Sequence, residues 1–323
     1  MNIRDFIDRE ITKEEALELC KLKGSKMMEL FSVANEIREK YCGNTLHTCT
    51  ISNAKSGECE EDCKFCAQSA HYKTDLSTYD LKQKDTLMSE YKRAETLGST
   101  KFGVVTSGRS IKKGSEEYDS IKDFIKDARK EDISTNICCS IGLLDEEELK
   151  ELKEVGVTRF HSNMQTSINA YNKIVATTHK IDDRLATIKA AKKIGMEVCS
   201  GGIIGMGESW EDRIDMAFTL KDLNVDGIPV NILNPIEGTP LGDREHLSMD
   251  EIIKTIAIYR IIFKDKVIKI GAGREGILKD FMGMAFMSGA NGMLVGGYLT
   301  VKGRTSEEDF VFMENVKKMW ERD

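Results

Sequence analysis

Residues 56–71 read S-G-E-C-E-E-D-C-K-F-C-A-Q-S-A-H and set Cys59, Cys63 and Cys66 in a C-x3-C-x2-C spacing. Three thiolates on one short loop can hold three irons of a cubane cluster and leave the fourth iron without a protein ligand, open to chemistry. Zinc also takes clustered cysteines, but structural zinc closes a tetrahedron with four ligands in paired knuckles, and no nearby second pair or His completes one. Packing of the three cysteines as small apolar residues fits poorly with their polar or small neighbours Gly57, Glu58, Glu60, Glu61, Asp62 and Lys64.

Such a loop needs a frame to hold it. From about His47 the chain alternates short β-rich runs with amphipathic helical runs, the signature of βα units and a parallel sheet. Eight strands are expected, at about 47–53, 100–107, 134–141, 157–165, 196–203, 227–233, 267–271 and 292–297. Eight units predict an α/β fold, a closed (βα)8 TIM-type barrel with active-site groups at the C-terminal ends of its strands. Residues 1–45 read as an N-terminal helical extension, with a capping box from Thr12 to Glu15 and a second helix at about 25–41. The barrel itself is expected over 46–305 and a C-terminal helix over 306–323. Asp182 and Asp183 open one helical run that Gly195 stops, and Ser248 with Glu251 forms another expected capping box.

Side chains alternate across a strand, so each run sorts into a helix-facing and a lumen-facing set. The lumen-facing sets are His47, Cys49, Ile51 and Asn53; Lys101, Gly103, Val105 and Ser107; Asn136, Cys138 and Ser140; Arg159, His161, Asn163 and Gln165; Glu197, Cys199 and Gly201; Pro229, Asn231 and Leu233; and Lys269 with Gly271. Three cysteines, Cys49, Cys138 and Cys199, thus converge from three strands on one interior. Cys20, Cys42 and Cys139 are assigned to packing or surface.

The 323 residues contain 40% hydrophobic and 31% charged residues, ordinary for a globular protein. Forty-seven basic against 54 acidic residues give a net charge of −7, with no basic run to suggest nucleic acid. No apolar run approaches the ~20 residues needed to span a bilayer, and the first ten residues carry acids where a secretion signal is apolar. A cytoplasmic location is expected, so the nine cysteines point to metal or catalysis over disulfides.

The cysteine loop, with Phe65 before its last cysteine, resembles the radical S-adenosylmethionine (SAM) enzymes, in which the open iron chelates SAM. Four segments narrow the resemblance: N-A-K-S-G-E-C-E-E-D-C-K-F-C-A-Q-S (53–69), V-C-S-G-G-I-I-G-M-G-E (198–208), N-I-L-N-P-I-E-G-T-P-L (231–241) and A-G-R-E (272–275). Together they are similar to the biotin synthase family, over roughly residues 35–315. The resemblance implies sulfur insertion into dethiobiotin. An electron from flavodoxin or ferredoxin reduces a [4Fe–4S] cluster on Cys59, Cys63 and Cys66; SAM is cleaved to methionine and a 5′-deoxyadenosyl radical; the substrate radical takes sulfide from an auxiliary cluster, and a second SAM closes the ring. It also implies a homodimer, and that Phe65, Gln165, Arg184, Gly201, Gly202 and Glu208 wall the SAM site, while Asn163, Asn231 and Thr300 meet the substrate. Asn supplies both donor and acceptor, which a ureido group needs. Gln165 stands where the family usually has an aspartate, and Arg274 of A-G-R-E is a weaker assignment.

The chain departs from the family at the auxiliary centre. The usual pattern has cysteines from strands two, three and five and an arginine from strand seven around a [2Fe–2S] cluster. Here strand two carries Gly103, strand seven carries Lys269, which lacks the planar fork of Arg, and strand one gains Cys49. A four-iron auxiliary cluster on Cys49, Cys138 and Cys199, with an extra sulfide on its open iron, is the expectation; a [2Fe–2S] cluster with Lys269 or a non-protein fourth ligand is the alternative. Two other function classes stand beside this one: a related radical SAM barrel enzyme of hydrogenase-maturation or methylornithine-forming type acting on an amino acid, and an iron–sulfur electron carrier or scaffold.

Overall fold

In the computed structural model, which describes residues 1–297 and 303–321, nine strand segments form one sheet: β1 (His47–Lys55), β2 (Lys101–Thr106), β3 (Asn136–Ser140), β4 (Arg159–His161), β5 (Glu197–Cys199), β6 (Gly202–Ile204), β7 (Gly227–Ile232), β8 (Val267–Ile270) and β9 (Gly292–Leu294). All of their pairings are parallel. The neighbour order β5-β4-β3-β2-β1-β9-β8-β7-β6, with Cys199 also in register with Gly227, closes the sheet on itself. The eight staves expected from the alternation are present, and the fifth is broken at Ser200 and Gly201 into β5 and β6. Thr300 falls outside the described residues.

The break has a steric cause. A Cβ on Gly201 would stand 2.0 Å from the Pro229 carbonyl oxygen, and one on Gly202 would stand 2.5 Å from that of Gln165. With no side chain in the way, the Gly201 N–H donates to Asn163 Oδ1 (3.1 Å), its carbonyl accepts from Gln165 N (3.0 Å), and Ile203 N donates to the Gln165 carbonyl (3.0 Å). The chain here is laced to both neighbouring staves. Gln165 itself sits at φ +72°, a left-handed conformation that a side chain adopts at a cost.

The outward faces of the strands bury against helices. Phe102 and Val104 of β2 are wholly buried, and Phe102 meets Tyr91 and Phe124 of the flanking helices at 5.5 and 6.4 Å between ring centroids. The Thr12–Glu15 capping box opens a helix over Lys13–Cys20, and a second helix spans Gly24–Cys42. These two pack on the helices Trp210–Asp222 and Met249–Phe263. The expected capping box at Ser248 does not form. Its partner Glu251 instead takes Arg213 Nη1 (2.7 Å), a buried guanidinium that needs an acceptor more than an exposed helix end does. Asp182 and Asp183 lie inside the first turn of the helix Ile181–Lys193, where acids favour the N-terminal end of the dipole.

The last helix, Ser306–Trp320, begins with a Thr305–Glu308 capping box. Its Asp309, with no exposed surface, is gripped by Arg274 through Nη2–Oδ2 (2.5 Å) and Nη1–Oδ1 (3.1 Å), and it accepts from Gly296 N (2.8 Å). Arg274 therefore ties the segment after β8 to the C-terminal helix. Among the described residues, no helix is long and apolar enough to cross a membrane.

Two glycine substitutions should separate crowding from backbone entropy. Gly201→Ala must push the fifth stave off Pro229 and is expected to lower unfolding stability by about 2–3 kcal/mol. Gly283→Ala, inside the helix Met282–Met287 with nothing within 4 Å of its added carbon, should raise stability by about 0.5–1 kcal/mol. Urea denaturation of the two variants beside the parent chain measures both.

Candidate active site

The cysteine loop leaves the C-terminal end of β1 and is closed by its own main chain. Cys59 N donates to the Gln68 carbonyl (2.9 Å), Ala70 N to the Cys59 carbonyl (2.8 Å), and Cys66 N to the Cys63 carbonyl (2.9 Å). Gly57, at φ +83°, lets the loop pass against Thr78, where a Cβ would meet Oγ1 at 2.4 Å. Gly57 N is held by Gln68 Oε1 (3.1 Å). The acids between the cysteines anchor the loop to the segment before the Ile181–Lys193 helix. Asp62 accepts from the Thr177 and Thr178 N–H groups (2.8 and 3.1 Å), and Glu61 accepts from Arg109 Nη1 (3.0 Å), His179 Nδ1 (2.5 Å) and the Thr178 hydroxyl.

All three loop cysteines are free and line one cavity with Phe65, Asn163, Gln165 and Arg184. Burial pushes the Cys63 thiol up to about 12 and raises those of Cys59 and Cys66. Arg184 reaches this cavity with its guanidinium held on three sides: Nε donates to Tyr171 OH (2.5 Å), Nη1 to the Asn163 carbonyl (3.3 Å) and Nη2 to His179 Nε2 (3.1 Å). None of these partners is a carboxylate. Three of its five N–H groups are spent, so one on each terminal nitrogen remains, the fork that recognises a carboxylate.

A second cavity lies deeper in the barrel. Cys49, Cys138 and Cys199 line it together with Lys101, Arg159, His161 and Lys269. Lys269 Nζ donates to Cys49 Sγ (2.9 Å) and Cys199 Sγ (3.7 Å) and has no carboxylate partner among the described residues. Burial would push this ammonium down, but its interactions with the Cys199 and Cys49 sulfurs more than offset that and raise it. Arg159 and Lys101 share one carboxylate, Glu197 Oε2, at 2.9 and 3.1 Å. A buried cation without an anion costs several kcal/mol, so this lumen fits a resident anionic centre on its thiolates. Gly103, the register partner of Cys138, offers no ligand, and its room is taken: a Cβ there would lie 3.2 Å from Ile51 Cγ2. Among the described residues, no three His, Cys, Asp or Glu side chains converge on a single metal ion; a cluster of several irons has a different geometry.

Between the two cavities stands a shared wall of Val105, Ser140 and His161. A third cavity is bounded by Phe65, Asn163, Gln165 and Asn231. Asn163 Oδ1 is spent on Gly201 N; Asn231 Oδ1 accepts from Ala272 N (2.9 Å) and its Nδ2 donates to the Gly202 carbonyl (3.1 Å). The Asn163 amide N–H groups and one on Asn231 are left for a ligand. Gln165 Oε1 is buried without a hydrogen-bond partner among the described residues.

Other expected residues stand elsewhere. Glu208 does not face the cavities: it accepts from Gly205 N (2.8 Å), Gly207 N (3.1 Å) and Arg213 Nε (2.7 Å), so it builds the glycine turn after β6. Gly201 and Gly202 are close-packed by Pro229 and Gln165 rather than by a ligand. Cys20 and Cys139 are buried and Cys42 half-buried beside Arg260. Glu61, His179 and Tyr171 escape the sequence reading. The one available signal is the acidic E-E-D run between the cysteines, which requires nearby donors if the loop is also to hold an anionic cluster.

Comparison with known proteins agrees with this arrangement. Residues 55–220 match the radical SAM superfamily, and residues 229–317 match the biotin and thiamin synthesis associated domain. A biotin synthase of Clostridium botulinum (strain Hall) is 48% identical over 307 residues, covering 95% of this chain and 94% of that protein. One from Carboxydothermus hydrogenoformans is 44% identical with the same coverage. Among solved structures, methylornithine synthase superposes with a TM-score of 0.84 at 19% identity over 97% of this chain and 96% of that one, a likeness of fold. The [FeFe]-hydrogenase maturase HydG from C. hydrogenoformans gives 0.80 at 16% identity, over 97% and 77%. By this identity and coverage, the chain belongs to the biotin synthase family of radical SAM enzymes.

Proposed function

We propose that the chain inserts sulfur into dethiobiotin to give biotin, with SAM as its co-substrate. One observation carries this: two groups of three free thiols, each beside a cation with no carboxylate among its described hydrogen-bond partners, open into adjoining cavities of one barrel. Cys59, Cys63 and Cys66 would hold a [4Fe–4S] cluster, and Cys49, Cys138 and Cys199 an auxiliary one. When bound, the first supplies reductive cleavage of SAM to a 5′-deoxyadenosyl radical and the second supplies the sulfur.

The protein's own part is binding and orientation. The spare fork of Arg184 takes the SAM carboxylate, and Gln165 Oε1, orphaned in the same cavity, accepts from a ribose hydroxyl. Phe65 offers its ring to the same ligand, while Gly201 and Gly202 act by letting the wall close rather than by contact. The free amide N–H groups of Asn163 and Asn231 point the substrate ureido oxygen between the two centres. Lys269 acts as a charge partner of Cys49 and Cys199, because a protonated amine has no lone pair for iron. This supports a four-iron auxiliary cluster with an extra sulfide over a [2Fe–2S] cluster ligated by Lys269; the space beside Gly103, filled by Ile51, supports it further. Electron delivery by flavodoxin or ferredoxin, a homodimeric assembly and a cytoplasmic location belong to the same reading and rest on family membership.

Anaerobic reconstitution followed by Mössbauer spectroscopy should give four-iron signals from both centres; a two-iron auxiliary signal would overturn that part. Replacing Cys49, Cys138 and Cys199 by Ala should abolish biotin while 5′-deoxyadenosine still forms from SAM and dithionite. If dethiobiotin yields no biotin even with the intact chain and both centres filled, the proposal fails. Gln165→Ala removes a single neutral hydrogen bond and is expected to weaken SAM by about 1 kcal/mol, roughly fivefold, with the KM for dethiobiotin unchanged.

A further inference from the structure

His179 lies far from the cysteine loop in sequence, yet its ring bridges that loop and the SAM cavity. Nδ1 is 2.5 Å from Glu61 Oε2, and Nε2 is 2.7 Å from Tyr171 OH and 3.1 Å from Arg184 Nη2. Both His179 and Glu61 are almost fully buried, at 4% and 6% exposure. One proton arrangement satisfies every contact. Glu61 is ionised and accepts from Nδ1–H; Nε2 carries the lone pair and accepts from Tyr171 O–H and from Arg184; the Tyr171 oxygen in turn accepts from Arg184 Nε at 2.5 Å. A proton on Nε2 would face the Arg184 Nη2 donor and lose that contact.

From this geometry we infer that His179 is a positioning residue for SAM, which it serves by fixing the guanidinium of Arg184, with Glu61 setting its tautomer and Tyr171 completing the grip. The consequence is a rigid link between the loop that holds three cysteines and the cation at the SAM pocket. Glu61 lies between Cys59 and Cys63, and its carbonyl also accepts from Ser69 Oγ (2.6 Å) in the same loop. A guanidinium on a long flexible chain loses rotamer freedom on binding; held at Nε and Nη2 beforehand, it presents its remaining fork at lower cost. Metal-site residues are commonly oriented this way by partners that touch neither metal nor substrate. The inference rests on the assignment of Arg184 to SAM.

The test uses full-length, anaerobically reconstituted protein, with SAM affinity read by equilibrium binding and by the change SAM causes in the electron paramagnetic resonance signal of the reduced cluster. His179→Ala and Tyr171→Phe should each weaken SAM about tenfold while iron content and the KM for dethiobiotin stay at the parent values. His179→Gln, whose amide oxygen reaches toward the place of Nε2, should recover part of the loss. Parent-like SAM affinity in His179→Ala overturns the inference, as does loss of loop iron in proportion to loss of SAM, which would make the network a support for the loop alone. Arg184→Met separates the two levels. If it too binds SAM normally, the assignment of Arg184 falls and this inference with it; if it weakens SAM while His179→Ala does not, only the link through His179 is wrong.

Discussion

Two cations without carboxylate hydrogen-bond partners among the described residues, the buried Lys269 and the half-buried Arg184, set the terms for this barrel. An ammonium or guanidinium withdrawn from water costs several kcal/mol unless an anion lies beside it. Lys269 finds only the sulfurs of Cys49 and Cys199, and Arg184 finds a phenol, a carbonyl and an imidazole. The carboxylate of Glu197 on β5 is already shared by Arg159 and Lys101. Under the proposed function the balancing charge would come from thiolate-bound metal in the deep cavity and from a carboxylate-bearing ligand in the upper one.

Holding such groups apart requires a lumen that does not collapse. The fifth stave shows how this is arranged: Gly201 and Gly202 carry no side chain because Pro229 and Gln165 occupy the space one would need. The main chain bonds sideways to Asn163 and Gln165, so the same residues that face the cavity are fixed by the wall. Gln165 accepts a left-handed backbone as the local cost of this arrangement. Its side-chain oxygen is left without a partner, and a buried acceptor in that state favours whichever ligand satisfies it. On β2, a Cβ on Gly103 would stand only 3.2 Å from Ile51 Cγ2.

What could be read in the sequence was whatever depends on local periodicity. Alternation along single strands was enough to send Cys49, Cys138 and Cys199 inward, and the cap residue Thr12 marks a helix start that does form. What escaped is long-range. The Ser248 cap failed because a distant buried arginine, Arg213, recruited Glu251. Glu208 turned away from the cavity for the same arginine and for two glycine N–H groups. The Glu61–His179 bond joins residues whose separation along the chain carries no periodic signal at all. Glycines in G-G-I-I-G read as ligand-approach sites because a missing side chain looks the same whether a cofactor or a neighbouring strand fills the gap.

The lumen is also poor in groups that could move protons. Of the acids near it, Glu61 is tied to Arg109, Thr178 and His179, and Glu197 to two cations. His161, on the wall between the cavities, is held neutral: burial, then the charges of Lys269, Arg184 and Arg159, bring its imidazole down to about 3. General acid–base catalysis asks for a group poised near the working pH, and this imidazole is several units away. A reaction that moved protons between carbon and protein would find little help here. One that transfers hydrogen atoms and sulfur needs none, and it gains from Asn and Gln side chains whose amides neither donate nor remove a proton while a reactive radical is enclosed.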